Sequence, residues 1–117
     1  MQSFEILTVE NAGIPVLAMK GYFEENAGEK LAQAAERFLQ HGKTALVVDF
    51  GECLVINSLG VAALLDLTLR VVDDFKGHII FARLDHLKNS VLTMAGVFPL
   101  AESAKDLEAA IKLAQKG

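Results

Sequence analysis

Asp49-Phe-Gly-Glu-Cys-Leu-Val-Ile-Asn-Ser58-Leu-Gly-Val-Ala-Ala-Leu-Leu65 decides how the chain folds. Thr44 to Phe50 is a run broken only by Asp49, the pattern of a central strand covered on both faces, and Gly51 closes it. A short loop follows. Helical spacing then begins, with apolar or small residues at Val61, Leu64, Leu65, Thr68 and Val72, and predicts a helix from Ser58 to Phe75. Ser58 stands at its start, where a serine can accept from the free backbone N–H groups and cap them. The same place favours an anion, because the N–H groups and the helix macrodipole point at it. Ser58 therefore has two readings, a cap and an anion-bearing residue.

On the N-terminal side, Phe4 to Val9 alternates and predicts a strand, Asn11-Ala12-Gly13 a turn, and Ile14 to Met19 a second strand, giving a hairpin. Pro15 points to an edge position for that second strand, and Gly21 to its end. Asn26 and Glu29 have capping-box spacing ahead of an apolar stripe of Leu31, Ala34, Ala35, Phe38 and Leu39, with Gly42 as a left-handed stop.

On the C-terminal side, Asp66 and Arg70 have the i,i+4 order that supports a helix. The line they form with Asp74 turns apolar towards Ser58, at Leu59, Ala62 and Ala63, an apolar collar suited to a partner surface. Lys76-Gly77 is a turn and His78 to Ala82 a buried strand. Asp85 caps a short helix in which Leu87, Val91 and Met94 share a face and which Gly96 stops. Val97 to Leu100 reads as a brief edge strand, because of Pro99. Ser103 and Asp106 have capping spacing for a last helix whose stripe is Leu107, Ala110, Ile111 and Ala114. The class is α/β: a mixed sheet of about five strands packed with about four α-helices.

The 117 residues, 52% of them hydrophobic, are read as a single domain over 1–117 with a real core. A net charge of −4 and the absence of any basic stripe argue against nucleic acid as a partner and suit a basic patch on a protein partner. The start of the chain lacks a secretory layout, no charge-free run is long enough to span a membrane, and one cysteine forms no internal disulfide. These features point to a cytoplasmic protein that needs no membrane.

No GxGxxG, GxxxxGK[ST] or GxSxG motif occurs, and no acid–base–nucleophile set accompanies Ser58, which leaves it an acceptor and argues against an enzyme. Asp49 has no second acid or histidine at ligand spacing, and His41, His78 and His86 are scattered, so neither a metal nor another cofactor is expected. Cys53 reads as a small buried residue.

Ile56-Asn57-Ser58-Leu59-Gly60 after Leu46-Val47-Val48-Asp49-Phe50 resembles the signature of STAS domains, the family of anti-sigma-factor antagonists. The likeness runs through Gly21 to Leu31, through Val91 to Phe98, and through Ser103 to Ala114. The chain departs from the commonest pattern at Glu24 and Asn57, where Asp is usual, and at Leu59, where Ser or Thr is usual. Asn57 keeps the hydrogen-bonding reach of Asp without its charge.

The resemblance implies a STAS-like fold and phosphorylation of Ser58 by a partner kinase. It also implies partner contacts from Glu24, Asn26, Asn57, Ser58, Leu59, Gly60, Ala62 and Ala63. The expected partner is an anti-sigma factor or serine kinase of the GHKL type, with a PP2C-type phosphatase reversing the modification. The alternatives are a small-ligand sensor of the same fold, binding a nucleotide or lipid, and a scaffold subunit in which Ser58 is only a cap.

Overall fold

In the computed structural model, which describes residues 3–116, Ala12 and Gly13 both take positive φ, 54° and 80°. That is the type I′ geometry whose twist suits two-residue hairpins, and it joins β1 (Phe4–Asn11) to β2 (Ile14–Phe23) in antiparallel register from Asn11↔Ile14 to Phe4↔Gly21. Strands β3 (Ala45–Ile56), β4 (His78–Ala82) and β5 (Glu102–Ala104) add in parallel, giving the order β1-β2-β3-β4-β5. The mixed sheet and its four helices, α1 (Glu25–Gln40), α2 (Ser58–Leu69), α3 (His86–Met94) and α4 (Leu107–Lys116), have the fold class expected from the sequence.

Two glycines read as strand ends lie inside strands instead. Gly21, at φ 84°, sits at an irregularity in the β2–β3 register, and a Cβ there would strike the carbonyl oxygen of Ser3. Only glycine combines that φ with that approach, so the ladder bulges and continues to Phe23. Gly51 likewise does not close β3. Its missing side chain makes room for the Arg83 guanidinium, and the strand runs on to Ile56. The expected loop after Asp49 is thus a strand paired with β2, from Lys20↔Glu52 to Phe23↔Ile56, projecting past the last β3–β4 pair at Asp49↔Ala82.

Pro15 does not mark an edge. β2 is an inner strand, and Pro15 is tolerated because pairing with β3 begins one residue later, at Val16↔Val47. The last strand is Glu102–Ala104, not Val97 to Leu100, where turns close with Leu100 and Ala101 amides on the Val97 carbonyl.

Residues Ala45 to Phe50 are buried on both faces, as a central strand should be. One face carries Leu17, Met19, Phe23, Leu46, Val48, Phe50, Ile79 and Phe81 under α1, α2 and α3, with Phe23–Phe50, Phe50–Phe81 and Phe81–Phe98 ring contacts at 5.7, 5.9 and 6.4 Å crossing the strands. The other face, Val16, Val47, Ile80 and Ala82, is covered by α4 through Ala110, Ile111 and Ala114.

Helix ends follow local chemistry. Gly42 and Gly96, at φ 93° and 84°, close α1 and α3 with paired bonds: Lys43 to Phe38 and Gly42 to Leu39, then Val97 to Leu92 and Gly96 to Thr93. These are Schellman closures. Asp85 caps α3 by accepting from the Lys88 amide at 2.8 Å. The capping spacing at Ser103 and Asp106 resolves differently from expectation: Asp106 is the acceptor, from Ala109 at 2.8 Å, while Ser103 lies in β5. Helix α2 gives way at Arg70–Asp74 to a π-helical turn, and Arg70 bonds Glu36 of α1 instead of Asp66.

Candidate functional site

The first turn of α2 separates the two roles the sequence left open at Ser58. Asn57, extended at φ −98°, is the N-cap: its Oδ1 accepts from the Gly60 amide at 2.8 Å. Ser58 is the first helical residue, exposed, and its hydroxyl makes no hydrogen bond among the described residues. Asn57 is itself pinned by its own amide, which donates to the Phe23 carbonyl at 3.2 Å. Gly60 approaches the same carbonyl so closely that a Cβ would collide with it. The serine is therefore held in place by its neighbours while its oxygen is left over. The amides of Ser58 and Leu59 come before the first intrahelical bond, Val61 N–H to the Asn57 carbonyl at 3.0 Å, so they have no acceptor within the helix.

The loop before α1 lies beside this turn. Glu24, Glu25, Asn26 and Ala27 line an open groove of about 270 Å³ together with Phe4, Asn57 and Leu59. The cap of α1 falls on Glu24, so Asn26 lies within the helix and the expected Asn26–Glu29 capping box is not formed. Both helices are fixed to each other below the groove, since Gly28 of α1 leaves only the space that the Ala63 side chain fills.

Of the eight residues singled out for partner contact, Glu24, Asn26, Asn57 and Leu59 share the groove, and exposed Ser58 and Ala62 flank it. Leu59 is 52% exposed. Gly60 is buried, and Ala63 is half-buried with its methyl against Gly28 of α1, so the exposed part of the apolar collar is Leu59 and Ala62. Sequence reasoning missed Phe4, which reaches the groove only through the Phe4↔Gly21 pairing. It also missed exposed Leu54 and Val55, hidden by the mistaken loop reading.

Asp49, at the end of the buried part of β3, is not a free carboxylate. It is 3% exposed, accepts from Arg83 Nε and Nη2 at 2.8 and 2.7 Å, and accepts from the Gly51 amide at 3.0 Å. This forked pair ties β3 to the residue after β4. The bond to Asp49 raises the Arg83 pKa further above its ordinary value. Cys53 is buried, and burial pushes its thiol pKa up, away from reactivity. No group of His, Cys, Asp and Glu able to hold a metal exists among the described residues, and none of their helices is long and apolar enough to cross a membrane.

No family model matches the sequence, and no curated protein does. Solved structures do. The anti-sigma factor antagonist SpoIIAA in its unphosphorylated form superposes with a TM-score of 0.73 at 20% identity, over 98% of each chain. Bacillus SpoIIAA in its phosphorylated form gives 0.69 at 19%, over 95% of this chain and 99% of that one. A STAS-domain anti-sigma-factor antagonist protein from Planctomyces limnophilus gives 0.71 at 16%, over 93% and 97%. With TM-scores of 0.69 to 0.73 over nearly the whole of each chain, the chain has the STAS fold of the anti-sigma-factor antagonists.

Proposed function

We propose that this chain is an anti-sigma-factor antagonist whose binding is switched by phosphorylation of Ser58. The observation that carries the reading is the unbonded, exposed hydroxyl at the first position of α2, with the cap supplied by Asn57. A phosphate there adds about −1.5 to −2 charges and three acceptor oxygens, next to amides that lack acceptors and at the positive end of a helix dipole. No packed side chain has to move for this to happen.

In the unmodified state Leu59, Ala62 and the groove rim at Glu24 and Asn26 form the surface on which an anti-sigma factor, a serine kinase of the GHKL type, docks. Phosphorylation places a dianion beside Leu59 and near Glu24 and Glu25 on the groove rim. The partner surface that had closed over these groups then faces uncompensated charge, and the complex weakens. A PP2C-type phosphatase restores the binding form. The chain itself has no catalytic role: it supplies the hydroxyl, and the partner supplies the base and the nucleotide.

Titration of wild type, Ser58→Ala and Ser58→Asp against the kinase-type partner tests this. Ser58→Ala binds like wild type, and Ser58→Asp binds roughly tenfold or more weakly, as expected when a charge is buried without a partner at an interface. Equal affinities for all three remove the switch.

A further inference from the structure

We propose that the open edge of β1 and the flank of α1 form a second docking site, which takes an extended acidic segment of a partner protein by strand addition. The site shares Phe4 with the groove at the Ser58 end of α2 but runs away from it along β1, and it does not depend on the function proposed above.

β1 is the terminal strand of the sheet, eight residues long, so among the described residues one side of its backbone has no strand to pair with. Edges of this kind are usually blunted by proline, by charged side chains, lysine above all, or by a bulge. Phe4-Glu-Ile-Leu-Thr-Val-Glu-Asn11 contains no proline or lysine, its pairing with β2 runs without a register break, and its two charges stand near its ends, at Glu5 and at Glu10, which is paired with Lys43.

Two grooves run along this edge, one after the other. The first, about 390 Å³, lies between Phe4, Ile6 and Thr8 of β1 and Lys30, Gln33 and Arg37 of α1. The second, about 340 Å³, continues from Thr8 and Arg37 to Glu10, His41 and Lys43. Together they follow β1 from Phe4 to Glu10, a span of roughly 20 Å at about 3.3 Å per residue. The opposite flank of α1 is already occupied by α2, through Gly28–Ala63 and Glu36–Arg70. The β1 flank is the open one.

Charge selects the occupant. Lys43 is neutralised by Glu10 at 2.7 Å. Lys30 and the Arg37 guanidinium are exposed and have no carboxylate partner among the described residues, although the chain as a whole carries −4. They stand seven residues apart on one stripe of α1, two turns along the groove. A strand added to β1 turns alternate side chains to the same face, so carboxylates at matching positions reach both cations while the backbone completes the ladder. Glu5 lines the first groove and tells against more than a few acidic positions.

The test uses the full chain and a displayed library of random octapeptides, followed by anisotropy titration of the enriched sequences. Enrichment of acidic, alternating peptides whose affinity falls roughly tenfold in the exposed-site double variant Lys30→Glu/Arg37→Glu, and falls also at high salt, supports the site. Wild-type circular dichroism in that variant shows that the fold is intact. No enrichment, or enriched peptides indifferent to the double variant, overturns it. So does sedimentation showing a dimer that Leu7→Lys/Val9→Lys converts to monomer, because the edge is then taken by a second copy. Partner titration at Ser58 is unchanged by Lys30→Glu/Arg37→Glu, which keeps the two sites distinguishable.

Discussion

At Asn57 and Ser58 two adjacent polar side chains divide the work that either could do alone. The amide oxygen of Asn57 holds the Gly60 N–H, and the serine oxygen is left to solvent. Stability measurements separate these roles. Asn57→Ala removes the cap and costs about 1 kcal/mol in a denaturant titration, whereas Ser58→Ala stays within about 0.5 kcal/mol of wild type. The reverse order would return the cap to Ser58. From sequence, Ser and Asn are equally good caps, and a one-residue shift in the helix start exchanges their roles. That ambiguity is why the motif was legible and the assignment within it was not.

A second residue pair was invisible for a different reason. Asp49 and Arg83 are 34 positions apart, and only the parallel β3–β4 register brings them together. Because Asp49 is buried and Arg83 is part-exposed, the two truncations differ. Arg83→Ala leaves a buried carboxylate with the Gly51 amide alone and costs about 2 kcal/mol; Asp49→Ala leaves an arginine that water can solvate and costs less. Urea midpoints of the two variants give the order directly.

At the scale of single elements, the helices were read from sequence more faithfully than the strands. A 3.6-residue stripe lies within one local stretch, closed by a glycine in α1 and α3 and opened by capping spacing in α4, and the three helices were recognised from these signals. Gly21 and Gly51 misled because a bulge and a close side-chain approach leave the same mark on a sequence as a strand end. The face of α3 was also misleading. Leu87 and Met94 are 71% and 86% exposed, while the helix packs through Leu92 and the buried Lys88, whose ammonium bonds Asp85 at 2.5 Å.

That bond, with the Lys88 amide, holds the Asp85 carboxyl below its ordinary pKa. A carboxylate lowered on folding stabilises the fold above its unfolded-state pKa, and the contribution is lost as pH falls through the folded value. The stability difference between wild type and Asp85→Asn is therefore constant near neutrality and shrinks in acid, below the usual carboxylate range. A difference that persists unchanged into strong acid would show that Asp85 acts without its charge.

The contact between α1 and α2 sets the separation of the loops they open. Gly28→Ala inserts a methyl group where Ala63 already sits, and costs about 1–3 kcal/mol as the helices part. Thermal unfolding of Gly28→Ala and of Gly28→Ala/Ala63→Gly checks this, because the second change vacates the space and recovers most of the loss.

For the whole molecule, the alternation of strands and helices was enough to name an α/β sheet. It did not show that α4 alone covers one face while three helices share the other, nor that β2 and β3 project together past the rest of the sheet. Those facts depend on pairings between distant segments. They place the start of α2 and the start of α1 side by side at one end of the sheet, with a groove between them.

The proposed switch requires that Ser58 take a charge without disturbing this arrangement while its partner surface is lost. Chain carrying phosphoserine at position 58, compared with unmodified chain by thermal unfolding and by titration against a GHKL-type anti-sigma factor, measures both halves at once. The expected result is melting temperatures within about 2 °C of each other, equivalent to under roughly 0.5 kcal/mol, and an affinity at least about tenfold weaker for the phosphorylated chain. A phosphorylated chain that unfolds early, or that binds as tightly as the unmodified one, would contradict it.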